Sequence, residues 1–141
     1  MKNNKIRIAF DIGGVLSKYP NILKPMFLAL QNNDNIEVFV MTDMHDPEQS
    51  NRFLKNNGFI IEPENVINCN YLEHGELCKA NECQRLGIDI LMDDFPGYLT
   101  HEGAPVRLMV MPDPYLPYYA KNWWTDGTEG DFGRRSASKP S

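Results

Sequence analysis

Three short apolar runs in this chain each stop at an oxygen-bearing side chain, and that pattern restricts the fold more than any other feature. Ile6 to Phe10 ends at Asp11, Ile36 to Met41 ends at Thr42-Asp43, and Ile88 to Met92 ends at Asp93-Asp94. Runs of this length, rich in β-branched and apolar residues and closed by turn residues, read as buried strands. A fourth, Val106 to Met111, ends at Pro112. Helical patterns lie between them. Asn21 to Leu30 carries Ile22, Leu23, Met26, Phe27 and Leu30 at helical spacing, with Pro25 near its start. A second helix is expected from Pro47 through Phe53 and Leu54 to Asn57, stopped by Gly58, and a third from Lys79 to Leu86, closed by Gly87. Phe59 to Ile61 and Val66 to Cys69 read as short extended pieces around Pro63.

Strands alternating with helices over short loops predict βαβ units, hence an α/β fold. The expected form is a three-layer Rossmann-like sandwich with a mostly parallel sheet and helices on both faces. The 141 residues suit one domain, expected over 1–125. Residues 126–141, rich in Gly and Ser, are expected to form a flexible tail. Tyr115, Tyr118, Tyr119, Trp123 and Trp124 are too apolar to leave loose; packing over the sheet, a lid or an oligomer contact would each bury them.

Composition narrows the partners. At 42% hydrophobic and 23% charged the chain can bury a core. A formal net charge of -5 disfavours a duplex nucleic-acid partner, although a local basic groove stays compatible with one. No apolar run approaches the roughly 20 residues that span a bilayer. Three cysteines, Cys69, Cys78 and Cys83, with no secretory signal ahead of them, point to free thiols and a cytoplasmic location. With His74 they lack the paired short hooks of a structural zinc site.

The carboxyl ends of parallel strands share one edge of the sheet, where ligands bind. Asp11, Thr42, Asp93 and Asp94 should therefore converge there. Clustered carboxylates need a cation, and hard oxygen ligands favour Mg²⁺. A phosphate bound beside it would find positive charge and N–H donors in Lys79 and the Gly13-Gly14 backbone. One carboxylate would then act as nucleophile.

Four segments carry a family resemblance: "IAFDIGGVL" (8–16), "VFVMTD" (38–43), Lys79 opening "KANECQRLG", and "IDILMDD" (88–94). Together, in this order, they resemble the haloacid dehalogenase-like (HAD) superfamily of phosphohydrolases, over residues 6 to about 111, which implies a strand order near 3-2-1-4-5 with the Asp11 strand central between the Thr42 and Asp93 strands. The resemblance implies that Asp11 attacks phosphorus and binds Mg²⁺, with the Gly13 carbonyl as a second metal ligand. It gives Thr42 a phosphate oxygen, with Gly14 and Asp43 also at the phosphate. Lys79 would neutralise Asp11 and the phosphate, and Asp93 would bind Mg²⁺ directly or through water, with Asp94 beside it.

Two departures qualify the resemblance. The family's phosphatases usually carry a second Asp where this chain has Gly13, and lost acid–base help costs about 10²–10⁴-fold. Asp43, His45, Asp46 or the substrate itself is expected to supply the proton. No cap domain fits between the segments, so an open site and a large phosphorylated substrate are expected. The expected activity is Mg²⁺-dependent hydrolysis of a phosphate monoester through an aspartyl-phosphate on Asp11. The alternative is a HAD-like protein that binds phosphate or a partner protein without turnover. A receiver-type signalling domain is set aside, because its acidic pair precedes the phosphorylated Asp.

Overall fold

In the computed structural model, which describes residues 4–44 and 46–111, five strands form one sheet. They are β1 (Ile6–Phe10), β2 (Ile36–Thr42), β3 (Val66–Asn68), β4 (Ile90–Asp93) and β5 (Val106–Met109). Every pairing is parallel, and the order is β3-β2-β1-β4-β5. The fold is thus α/β with the strand order that the sequence implies. Tyr115 to Trp124, the tail and His45 lie outside the described residues.

Side-chain alternation along the strands sets the layers, because successive residues face opposite sides of a sheet. Ile8 and Phe10 of β1, with Val38 and Val40 of β2, face one side. There they meet Phe27 of α1 (Pro20–Gln31), Phe53 and Leu54 of α2 (Pro47–Asn56), and Phe59. Ala9, Phe39, Met41 and Leu91 face the other side. Tyr71 of α3 (Tyr71–His74), Cys78 and Cys83 of α4 (Cys78–Leu86), and Tyr98 of α5 (Pro96–Leu99) cover them. Helices on both faces follow from right-handed crossovers between parallel strands. Among the described residues no helix is long and apolar enough to cross a membrane.

The element ends differ from expectation in ways the hydrogen bonds explain. Gly87 adopts the left-handed conformation (φ 65°) that closes α4, and the Ile88 N–H is spent on Cys83 O. Regular β4 structure therefore starts at Ile90 rather than Ile88. Phe59 to Ile61 lies outside the sheet; Phe59 N–H bonds Leu54 O while its ring enters the core. The short helices α3 and α5 were not foreshadowed by periodicity, being too brief to show one.

Phe27 is fully buried, with ring centroids 5.3 Å from Phe10 and 5.1 Å from Phe59. Phe27→Ala should cost about 3–5 kcal/mol, read as a lower urea midpoint at unchanged slope. On the opposite face, burial pushes the Cys83 thiol up from an ordinary 9.0 to about 12. The folded state thus favours the neutral thiol, and this contribution is whole below pH 9 and lost as pH rises through 12. Unfolding midpoints should decline across that window, and less steeply in Cys83→Ala.

Candidate functional site

The register of the central strands builds the site. Phe10 pairs with Met92, so the next residues, Asp11 and Asp93, fall side by side at the carboxyl edge. The Asp11 N–H to Met92 O bond, 3.0 Å, locks this pairing. By the same alternation both carboxylates follow Ala9 and Leu91 onto the face covered by α4 and α5. From α4, Lys79 delivers its ammonium between them: Nζ lies 2.8 Å from Asp11 Oδ1 and 2.5 Å from Asp93 Oδ2. Asp94 completes the group, with carboxylate oxygens of Asp11, Asp93 and Asp94 all within 4.8 Å of one another. None of these four side chains exceeds 1% exposure.

The loop after β1 is one wide turn, Ile12–Leu16, closed by Ser17 N–H to Ile12 O at 2.9 Å. Gly13 and Gly14 have non-helical dihedrals, so the segment is a wide loop turn rather than a helix. Asp11 starts the turn and its Oδ1 accepts from the Ile12 N–H at 2.8 Å. Gly14 has φ 75°, and a Cβ there would overlap the Asp94 carboxylate. Glycine is required at this position both by conformation and by the close approach of backbone to Asp94.

Charge decides what this cluster needs. Three carboxylates face one ammonium in a volume nearly closed to water. Buried charges are costly unless paired and solvated by fixed partners. The donor set is all oxygen, which suits a hard cation. Asp11, Asp93 and Asp94 each offer a carboxylate oxygen, and the three lie close enough together to share one cation. They fit such an ion.

No protein-family model, curated protein or solved structure matches this chain.

Of the residues expected at the site, Asp11, Lys79, Asp93 and Asp94 are drawn together. Gly13 and Gly14 lie in the turn beside them, but the Gly14 N–H is already taken by Ser17 Oγ at 3.1 Å. Thr42 is buried, and its Oγ1 accepts the Met44 N–H at 3.1 Å, a local turn bond. Asp43 is buried too and accepts from the Tyr98 hydroxyl at 2.6 Å. Asp46 is exposed and caps α2, its Oδ1 accepting the Glu48 N–H at 3.0 Å, a role in the helix rather than the cluster. The expected open site differs from what is observed: Asp11, Lys79, Asp93 and Asp94 are all covered, at most 1% exposed.

The cysteines are packing groups. Cys69 and Cys78 are hydrogen-bonded to each other, which holds the Cys69 thiol well above the ordinary range, with burial adding to it, and Cys78 below. Cys83 Sγ rests 3.7 Å from Met41 Sδ. Sequence reasoning missed Tyr98 and Ser17. Pro96 at the first position of α5 was an available helix-start signal for Tyr98. Nothing local marks Ser17.

Lys79→Met would leave Asp11 and Asp93 facing each other without the ammonium between them. Removing one partner of a buried ion pair costs about 3–5 kcal/mol, so urea unfolding should show a loss of that order. Mg²⁺ should recover part of it, seen as a larger rise in melting temperature than in the wild type.

Proposed function

We propose that this chain hydrolyses phosphate monoesters with Mg²⁺, through an aspartyl-phosphate on Asp11. One observation carries the reading: a fully buried lysine bridges two of three clustered aspartates at the carboxyl edge of a parallel sheet. The order of these groups along the chain agrees with the HAD-like resemblance of the sequence.

In this mechanism an Asp11 carboxylate oxygen attacks phosphorus as the bond from phosphorus to the ester oxygen breaks. The leaving oxygen departs with the bond's electron pair and takes up a proton. Water then attacks the phosphorus of the aspartyl-phosphate, releasing orthophosphate and restoring Asp11. Lys79 holds Asp11 in place and offsets negative charge as it builds on the phosphoryl group. Mg²⁺, held by Asp11, Asp93 and Asp94 with the Gly13 carbonyl, would supply further charge neutralisation and orient the phosphate. Asp43, next to Thr42, stands nearer this machinery than Asp46 does in role, since Asp46 is committed to its helix.

Gly13 brings no acid to the leaving group, so acyl and aryl phosphates, whose leaving oxygens need protonation least, should be the best substrates. The spans from Asp11 to Thr42 and from Thr42 to Lys79 are taken up by elements of the sandwich itself. With no inserted domain to enclose a small metabolite, we keep a phosphorylated macromolecule as the substrate class, which would reach Asp11 only once the cover over the cluster opens. Gly13 also favours a second reading, a protein that binds phosphate or a partner without turnover.

Acetyl phosphate or p-nitrophenyl phosphate should be turned over with Mg²⁺ and not after chelation by EDTA. Asp11→Asn should reduce the rate by roughly 10³-fold or more while the protein stays folded by circular dichroism. Orthophosphate and Mg²⁺ binding by calorimetry, with no turnover of either substrate, would replace the enzyme with the binding protein.

A further inference from the structure

Among the described residues the largest fully buried side chain is Tyr98, which has no part in the chemistry above yet touches two groups near it. Its hydroxyl donates to Asp43 Oδ2 at 2.6 Å. Its ring lies beneath the Lys79 ammonium, with Nζ 4.7 Å from the ring centroid. That ammonium is the one held 2.8 Å from Asp11 and 2.5 Å from Asp93. The ring is itself fixed on two edges, by Phe95 at 5.0 Å and Tyr71 at 6.4 Å between centroids. Phe95 is tied to the cluster in turn, its N–H donating to Asp93 Oδ1 at 2.9 Å. Tyr98 thus joins three chain-distant pieces of the site: the loop after β2, the start of α4 and the end of β4.

We propose that Tyr98 is a positioning residue whose two ends do separate jobs, the ring seating Lys79 between Asp11 and Asp93 and the hydroxyl fixing the Asp43 carboxylate in the loop after β2. The physical reasons differ. An ammonium packed on an aromatic face gains from the ring's electron-rich surface, most strongly where water is absent. This holds Lys79 on the carboxylate side without adding a hydrogen-bond partner that would compete for its protons. Asp43 sits in a loop, where a short carboxylate side chain has several rotamers. A hydroxyl anchored on a rigid aromatic body selects one of them. A plain hydrophobe at position 98 would fill the volume and supply neither effect. The catalytic side of this inference rests on the phosphohydrolase reading; the seating of Lys79 does not.

The two ends separate by substitution. Tyr98→Phe keeps the ring and should leave kcat for p-nitrophenyl phosphate within about 3-fold while shifting KM. Tyr98→Leu removes both and should lower kcat by about 10- to 30-fold, the loss expected for a desolvated cation–aromatic contact. The hydroxyl arm is read by a double-mutant cycle: Tyr98→Phe and Asp43→Ala should shift KM non-additively, the double variant matching Asp43→Ala alone. The ring arm is also read without turnover, by acetic anhydride labelling of Lys79 followed by peptide mass spectrometry. Labelling should be slow in the wild type and Tyr98→Phe and about 10-fold faster in Tyr98→Leu.

Equal labelling of Lys79 in the Tyr98→Phe and Tyr98→Leu variants, at either rate, overturns the ring's role. Additive KM effects overturn the hydroxyl's. If Tyr98→Leu does not fold, Tyr98→Phe decides alone: fast labelling there refutes the seat, slow labelling with the non-additive cycle supports it. A wild type that neither turns over substrate nor binds orthophosphate ends the phosphohydrolase reading instead, while the labelling pattern still decides whether Tyr98 seats Lys79.

Discussion

The Lys79 ammonium, bridging Asp11 and Asp93 where almost no water reaches, is the contact on which the rest of the site depends. Without it the centre of the sheet's carboxyl edge would be a desolvated cluster of like charges, which proteins avoid. Its presence constrains the surrounding architecture. The lysine has to arrive from a helix packed on the face toward which Asp11 and Asp93 point, so α4 must cross over that face and no other. The stem of the side chain lies in the apolar cover made by α4 and α5, and only its tip meets the carboxylates. Packing and polarity are therefore not separate layers here, because one residue belongs to both.

That arrangement places the polar cluster at the end of a continuous apolar wall. Along β1 the sequence passes from Ala9, flat against the α4 face, through Phe10, locked into the aromatic contacts of the opposite face, to Asp11 at the rim. The strand's rigidity is transmitted to the carboxylate by the Asp11 N–H bond to Met92 O. Sites built on strand ends in this way gain geometric definition that a loop alone does not give. The rim loops then add what strands lack: backbone at unusual dihedrals, as in the Ile12–Leu16 turn, and short reach across the crevice, as in the Asp43 to Tyr98 bond.

Much of this was legible in the chain because it depends on long-range periodicity and on where polar residues interrupt it. The parallel sheet and the convergence of Asp11, Asp93 and Asp94 follow from apolar runs that end in carboxylates, while the strand order came with the family resemblance. Lys79 was legible through its place at a helix start shortly before the Asp93-Asp94 strand. What escaped notice depends on three-dimensional neighbours with no local signature. A tyrosine four residues beyond Asp94 looks like any core aromatic until Asp43 and Lys79 are found on either side of it. Asp46 shows the converse. A carboxylate just past a strand end, followed by proline, reads equally as a reactive group or a helix cap, and only the bond to Glu48 N–H separates them. The Gly14 N–H illustrates the same limit, since its capture by Ser17 is a matter of loop closure that residue types do not reveal.

The two adjacent glycines of the first loop differ in what they permit. Position 14 is confined to glycine by a positive φ and by the carboxylate pressed against it. Position 13 has φ -65° and ψ 125°, a backbone state open to every L-amino acid. Glycine at position 13 is thus not imposed by the turn's dihedrals. The same short loop therefore holds one glycine that its geometry demands and, directly before it, one whose backbone would accept a side chain, so the two neighbours answer to different constraints.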